Sequence, residues 1–141
     1  SFRRRRNDEA VEKAMELVGL AELADMDIAR LSGGQRQRAV IGRALASNAE
    51  LLIFDEPLVN VDRSSRNGIL KLLDDLCHNE NKTLLMVSHD LTAIRQSAHR
   101  VIYLDGQIQY DGKPSEIPDL SGLAGLVGLQ HVHEHSHKEE E

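Results

Sequence analysis

Leu31-Ser32-Gly33-Gly34-Gln35 and, further on, Leu51-Leu52-Ile53-Phe54-Asp55-Glu56-Pro57 decide how this chain is read. The first is a small Ser/Gly segment that leads into a helical pattern. The second is an apolar run ending in two acids. A Ser/Gly segment before a helix suits phosphate, because the first turn presents unpaired N–H groups and a positive dipole end. An apolar strand ending in Asp-Glu suits magnesium and a polarised water. In this order the two point to nucleotide hydrolysis. A G-x-x-x-x-G-K-[ST] phosphate loop does not occur in the 141 residues.

The regions around these segments alternate between helix and strand. Residues 8–18 place Ala10, Val11, Ala14, Met15, Leu17 and Val18 near one helical face. Asn7 or Asp8 is expected to cap that helix and Gly19 to end it. A short helix is expected over Ala21 to Ala24. Ser32 suits the N-cap of a helix from about Gly34 to Ala46. The run ending at Phe54 reads as a strand buried on both faces. A helix from about Arg63 to Cys77 should follow, then a second buried strand, Thr83 to Val87. Asp90 suits the cap of a helix over Leu91 to Ser97. Asp105-Gly106, flanked by Arg100 to Leu104 and Gln107 to Tyr110, reads as a hairpin turn. The pattern predicts an α/β fold with a mainly parallel sheet and a C-terminal β-hairpin. From Pro118 onward the apolar pattern weakens, and residues 130–141 read as a disordered His-rich tail.

Composition narrows the reading. The length suits one domain. Aromatics are only 3% and Trp is absent, so the core must be aliphatic. The net charge of -6 disfavours nucleic acid as a partner. Arg3-Arg4-Arg5-Arg6 opens the chain and Glu139-Glu140-Glu141 closes it. The Arg run reads as a solvated loop or helix lead-in, with a partner or lipid headgroup as the alternative. A single cysteine, Cys77, cannot form an internal disulfide and fits a reducing compartment. Cys77-His78 reads as an ordinary helix end. No apolar run is long enough to span a bilayer, so the chain is expected to be soluble and any membrane role to go through a partner.

Chemistry concentrates at a few positions. Ser32, Gly33, Gly34 and Gln35 would face the outer phosphate of a nucleotide, with the glycines admitting close approach of backbone to anion. Asp55 would hold magnesium through its water shell, and Glu56 would orient or deprotonate the attacking water. Pro57 turns the chain away from the strand. His89 ends the neighbouring strand and is expected beside Glu56, where an imidazole can bond a terminal phosphate.

These segments resemble the C-terminal part of an ATP-binding-cassette (ABC) transporter ATPase. Leu31 to Gln35 are similar to the family signature and Leu51 to Glu56 to its Walker B strand. Asp62 falls at the D-loop aspartate and His89 at the switch histidine. The resemblance covers residues 1 to about 117. It implies a partial P-loop NTPase sheet, with residues 1–30 in part of the helical subdomain. Residues 31–118 would form the C-terminal half of the ATPase domain, and 119–141 a flexible tail. It implies ATP and Mg2+ as cofactors, a second ABC ATPase subunit in a head-to-tail dimer, and a membrane permease. The chain would sit at the cytoplasmic face of the membrane.

Glu56-Pro57-Leu58-Val59-Asn60-Val61-Asp62 is similar to ATPases of manganese and zinc uptake. Four of the seven histidines, His131, His133, His135 and His137, alternate in the tail. Neutral imidazoles so close together can chelate Zn2+, Ni2+ or Cu2+, with a purification tag or a neutral polar tail as the alternative.

In the family one subunit supplies the phosphate loop, acids and histidine, and its neighbour the signature segment. No position here matches the phosphate-loop Lys, its Ser/Thr, the adenine-stacking aromatic or the Q-loop Gln. The chain is therefore expected to lack ATPase activity alone, and to leave apolar faces of its strands and helices uncovered. The competing reading is a non-catalytic module that supplies the signature in trans or binds metal through its tail. An ABC ATPase of DNA repair or translation is a third.

Overall fold

The computed structural model describes residues 2–118, with side chains from Asp8 onward. It divides into two compact units, up to Ala93 and from Ile94. The His-rich tail lies outside the described residues.

The first unit begins with α1, Phe2–Leu17. This helix starts earlier than its apolar face suggests, and neither Asn7 nor Asp8 caps it. Arg and Asn continue a helix at little cost, so the polar run extends it N-terminally. Its end is as expected. Gly19 has φ +70°. The Gly19 N–H donates to Glu16 (3.0 Å) and the Leu20 N–H to Met15 (2.9 Å), a Schellman closure that needs a left-handed residue. A single 3-10 turn, Ala21–Leu23, replaces the short helix expected there. Another, Ile28–Arg30, leads into α2, Gly33–Ala46.

β1 is Leu51–Asp55, α3 is Arg63–Asn79 and β2 is Thr83–Val87. β1 and β2 pair in parallel, with Ile53 opposite Leu85 and Asp55 opposite Val87. The helix between them makes this a βαβ unit, as the alternation predicts. The core is aliphatic except for Phe54. It joins Ala14 of α1, Val18 just beyond it, Ile41 and Leu45 of α2, Leu52 of β1, and Ile69, Leu72, Leu73 and Leu76 of α3. Ile41, Ile69 and Leu76 are fully buried, each worth about 1.5–3 kcal/mol relative to exposure.

The strands are not buried on both faces, contrary to the reading of their apolar runs. Leu52 and Phe54 face the core, whereas Leu51 (52% exposed) and Ile53 (64%) face away from it, as do Leu85 and Val87 (51% each). Successive strand residues point to opposite faces. Among the described residues nothing covers the second face, so an apolar stripe stands open there.

α4, Leu91–Ser97, begins where the first unit ends, with Ala93 buried in that unit's core. In the second unit β3, Val101–Asp105, and β4, Gln107–Gly112, pair antiparallel around Asp105-Gly106. Gly106 takes φ +67°, the conformation for which such a turn selects glycine. A register shift between Tyr103 and Leu104 and the two residues beyond Tyr110 extend the expected hairpin. Arg100 holds Asp111 through two 2.8 Å bonds, which lowers the carboxyl pKa from its usual range.

Candidate functional site

Ser32 is the N-cap of α2. Its hydroxyl accepts from the Gln35 N–H (3.2 Å), and the Gln35 side-chain oxygen accepts from the Ser32 N–H (2.9 Å). This reciprocal capping box satisfies two of the orphan donors at the helix start. A cap of this kind is worth about 0.5–2 kcal/mol. It fixes Ser32 and Gln35 at the mouth of the helix, where Ser32 is exposed.

The two glycines answer to a neighbour within the chain. A Cβ at Gly33 would stand 2.7 Å from the Asn60 carbonyl oxygen. At Gly34 it would stand 2.8 Å from the Ser65 Cβ and Oγ. The signature segment thus packs directly on the turn that carries Asp62. Sequence reasoning assigned the glycines to anion approach alone and missed this contact, because Asn60 and Ser65 lie well downstream.

That turn is locally determined. Asn60 has φ +62°, a region where Asn is enriched among non-glycine residues. Asp62 caps α3: its Oδ2 accepts from the Ser65 N–H (3.1 Å) and from the Ser64 hydroxyl. The Ser64 hydroxyl first, then Ser65, lowers the Asp62 carboxyl pKa from its ordinary value.

Asp55 ends β1 exposed, and Glu56 follows half-buried. Glu56 takes φ +50°, an uncommon conformation for a non-glycine side chain. Two bonds hold it there. Its N–H donates to Val87 (2.8 Å) and its carbonyl accepts from Val59 (3.2 Å). Pro57 is fully buried behind it. The turn brings the Glu56 carboxylate to the end of β2. There Oε1 accepts from the His89 N–H (3.1 Å) and meets His89 Nδ1. The His89 ring is 95% exposed, so only its Nδ1 edge is engaged by Glu56. Glu56 and His89 are therefore side by side, as strand-end placement implies. Asp90 caps α4 as expected, its Oδ1 accepting from the Ala93 N–H (2.9 Å).

Cys77 and His78 lie in the last turn of α3, which ends at Asn79. The His78 Nδ1 lies 3.0 Å from the Asp74 carbonyl oxygen, and burial raises the Cys77 thiol pKa. A thiol so shifted stays protonated and unreactive at neutral pH. His131, His133, His135 and His137 lie outside the described residues.

These groups fit one part of a magnesium–nucleotide site. Exposed carboxylate oxygens at a strand end suit hydrated Mg2+, and a Ser-capped helix start suits phosphate. A phosphate-loop sequence is absent from the 141 residues, so the fit covers the acids, the histidine and the signature only.

Comparison with known proteins places the chain. A family model, ABC transporter, matches residues 2–59. The chain is 38% identical over 128 residues to the ferric enterobactin transport ATP-binding protein FepC of Escherichia coli, covering 90% of this chain and 47% of that protein. It is 35% identical over 136 residues to the zinc import ATP-binding protein ZnuC of Brucella melitensis, with 90% and 46% covered. It is 41% identical over 115 residues to the thiamine import ATP-binding protein ThiQ of Yersinia pestis, with 80% and 49% covered. Among solved structures it matches an inward-facing ABC transporter assigned to the metal-chelate type, at TM-score 0.77 and 29% identity, over 85% of this chain and 48% of the other. It also matches a post-hydrolysis dimer of an ATP-binding cassette bound to ADP and Pi, at TM-score 0.61 and 33% identity, over 72% and 44%.

The chain has the α/β fold of the ATP-binding domains of ABC transporters and resembles them in sequence. It spans about half the length of the curated relatives it matches. Those relatives are named for ferric enterobactin transport, zinc import and thiamine import, so the resemblance is not to one metal branch.

Proposed function

We propose that this chain acts within the ATP-binding subunit of an ABC importer, offering Ser32 to Gln35 to a nucleotide held by a second subunit in a head-to-tail dimer. The observation that carries the reading is the pairing of two sites in one unit. A capping-box helix start packs on the Asp62 turn, and Glu56 meets His89 at adjacent strand ends. Ser32 would contact the outer phosphate, and Asp62 would lie near the subunit boundary. Asp55 would hold the hydrated Mg2+ that offsets phosphate charge. Glu56 would accept a proton from water, with His89 fixing its orientation. Residues 1–30 would belong to the helical subdomain facing a permease at the cytoplasmic side of the membrane. A divalent metal ion, zinc or manganese, is the cargo most consistent with the segment Glu56 to Asp62 and with the His-rich tail. The ZnuC likeness supports it, and the FepC and ThiQ likenesses leave the cargo class broader.

Phosphoryl transfer depends mainly on positioning and charge stabilisation. The 141 residues carry no phosphate-loop sequence to hold a nucleotide, so they are expected to turn over no ATP by themselves. Clear Mg2+-dependent hydrolysis by the purified chain, abolished by Glu56→Gln, would overturn that expectation. The trans role is tested with a complete cassette whose own signature serine is replaced by arginine. Adding this chain should restore turnover, and the Ser32→Arg chain should not. Equal turnover with both chains, or with neither, refutes the reading. Zinc titration of the chain with and without residues 130–141 checks the tail: binding should disappear with the truncation.

A further inference from the structure

Arg66 lies one helical turn into α3, and its guanidinium holds two distant parts of the chain. Nε donates to the Val61 carbonyl (3.3 Å) and Nη1 to Asp90 Oδ2 (2.8 Å). Val61 immediately precedes Asp62. Asp90 immediately follows His89. Asp90 is itself immobilised, because its N–H donates to Ser88 Oγ (3.1 Å) and its Oδ1 caps α4 at Ala93 (2.9 Å). On the other side of His89, the His89 N–H is anchored on Glu56 (3.1 Å). The guanidinium is a planar fork whose donors have fixed relative directions. A shift of either acceptor therefore pulls on the guanidinium that serves the other.

We propose that Arg66 is a positioning residue that couples the Asp62 turn to His89, so that the two move together. The proposal rests on the functional reading above for its consequence: a neighbouring subunit that displaces Asp62 would reorient the histidine at the hydrolytic strand ends. The Arg66 and Asp90 side chains are 40% and 29% exposed, so solvent screens much of their attraction. What the pair supplies is geometry. A lysine retains the charge but loses the fork, and cannot serve Val61 and Asp90 in the same way.

The test uses NMR spectra of the full chain without nucleotide. Asp90→Asn keeps an oxygen to cap α4 and removes the charged partner of Arg66. It should shift the Val61 and Asp62 amide resonances. Arg66→Met should shift the His89 imidazole resonances, and in that background Asp90→Asn should no longer move Val61 or Asp62. Arg66→Lys should remain folded and lose the same transmission, which keeps the test valid if Arg66→Met does not fold. A merely structural Arg66 would lower stability without making the Asp90 effect depend on it. Unmoved Val61 and Asp62 amides in Asp90→Asn, or equal shifts with and without Arg66, would overturn the proposal. The serine-to-arginine complementation assay reports on the trans role alone, so either idea can fail while the other stands.

Discussion

Glu56 carries two demands at one position. Its backbone takes φ +50°, and its carboxylate meets His89. A left-handed L-residue costs roughly 1–2 kcal/mol, so the turn stores strain where the proposed base sits. Glu56→Ala and Glu56→Gly both remove the carboxylate, but only glycine is free of the conformational cost. The glycine variant should be the more stable of the two by about 1 kcal/mol in urea unfolding. Equal midpoints would show that the backbone is relaxed. Asp62 gives a pH signature. Its carboxyl is held below the ordinary value by Ser64 and Ser65. The stability it adds is complete above the unfolded carboxylate pKa. It disappears as pH falls through the lower native value. Asp62→Asn should retain the cap and lose that acid-side decline, measured as unfolding midpoint between about pH 5 and pH 2. Ser32 as a cap and Glu56 beside His89 were legible from sequence, because each follows from a local rule about helix starts or strand ends. The φ of Glu56 was not, since it depends on the bond to Val87 from the adjacent strand.

At the scale of elements, the start of α2 and the start of α3 form one packed contact. Gly34 lies against Ser65, so Gly34→Ala forces a methyl to within 2.8 Å of the Ser65 side chain. Overpacking of this kind costs about 1–3 kcal/mol. Ser65→Gly removes the obstructing atoms, so the double variant should regain part of that loss. Thermal melts of the two single variants and the double variant measure the coupling. Additive losses would mean that the helix starts do not press on each other. Helix and strand identity was readable because apolar spacing at 3.6 or 2 residues reflects which face meets the core. The limits of α1 were less readable. Arg3 to Arg6 carry no apolar pattern, yet they favour a helix well enough to extend one.

At the scale of the molecule, the first unit has an open apolar stripe formed by Leu51, Ile53, Leu85 and Val87. Such a surface favours self-association or dye binding. The isolated chain should bind an apolar fluorescent dye and sediment as more than a monomer. Ile53→Thr with Leu85→Thr, across one register pair, should reduce both while retaining strand propensity. A monomeric wild-type chain that ignores the dye would contradict this. The continuous apolar runs were read as strands buried on both faces. That inference needs a second layer, and the described residues supply only one.

The chain's own residue order determined the likeness to ABC ATPases, the element order and the caps of α2 and α4. Those depend on motifs and on contacts a few residues apart. Three outcomes depended on tertiary structure: the packing of Gly33 and Gly34 on the Asp62 turn, the unusual φ of Glu56, and the Arg66 bridge to Asp90. Each joins segments far apart in sequence, where distance and direction in space decide which groups meet. The signature segment was therefore recognisable from five residues, but its support was visible only once α2, α3 and the ends of β1 and β2 had been brought together.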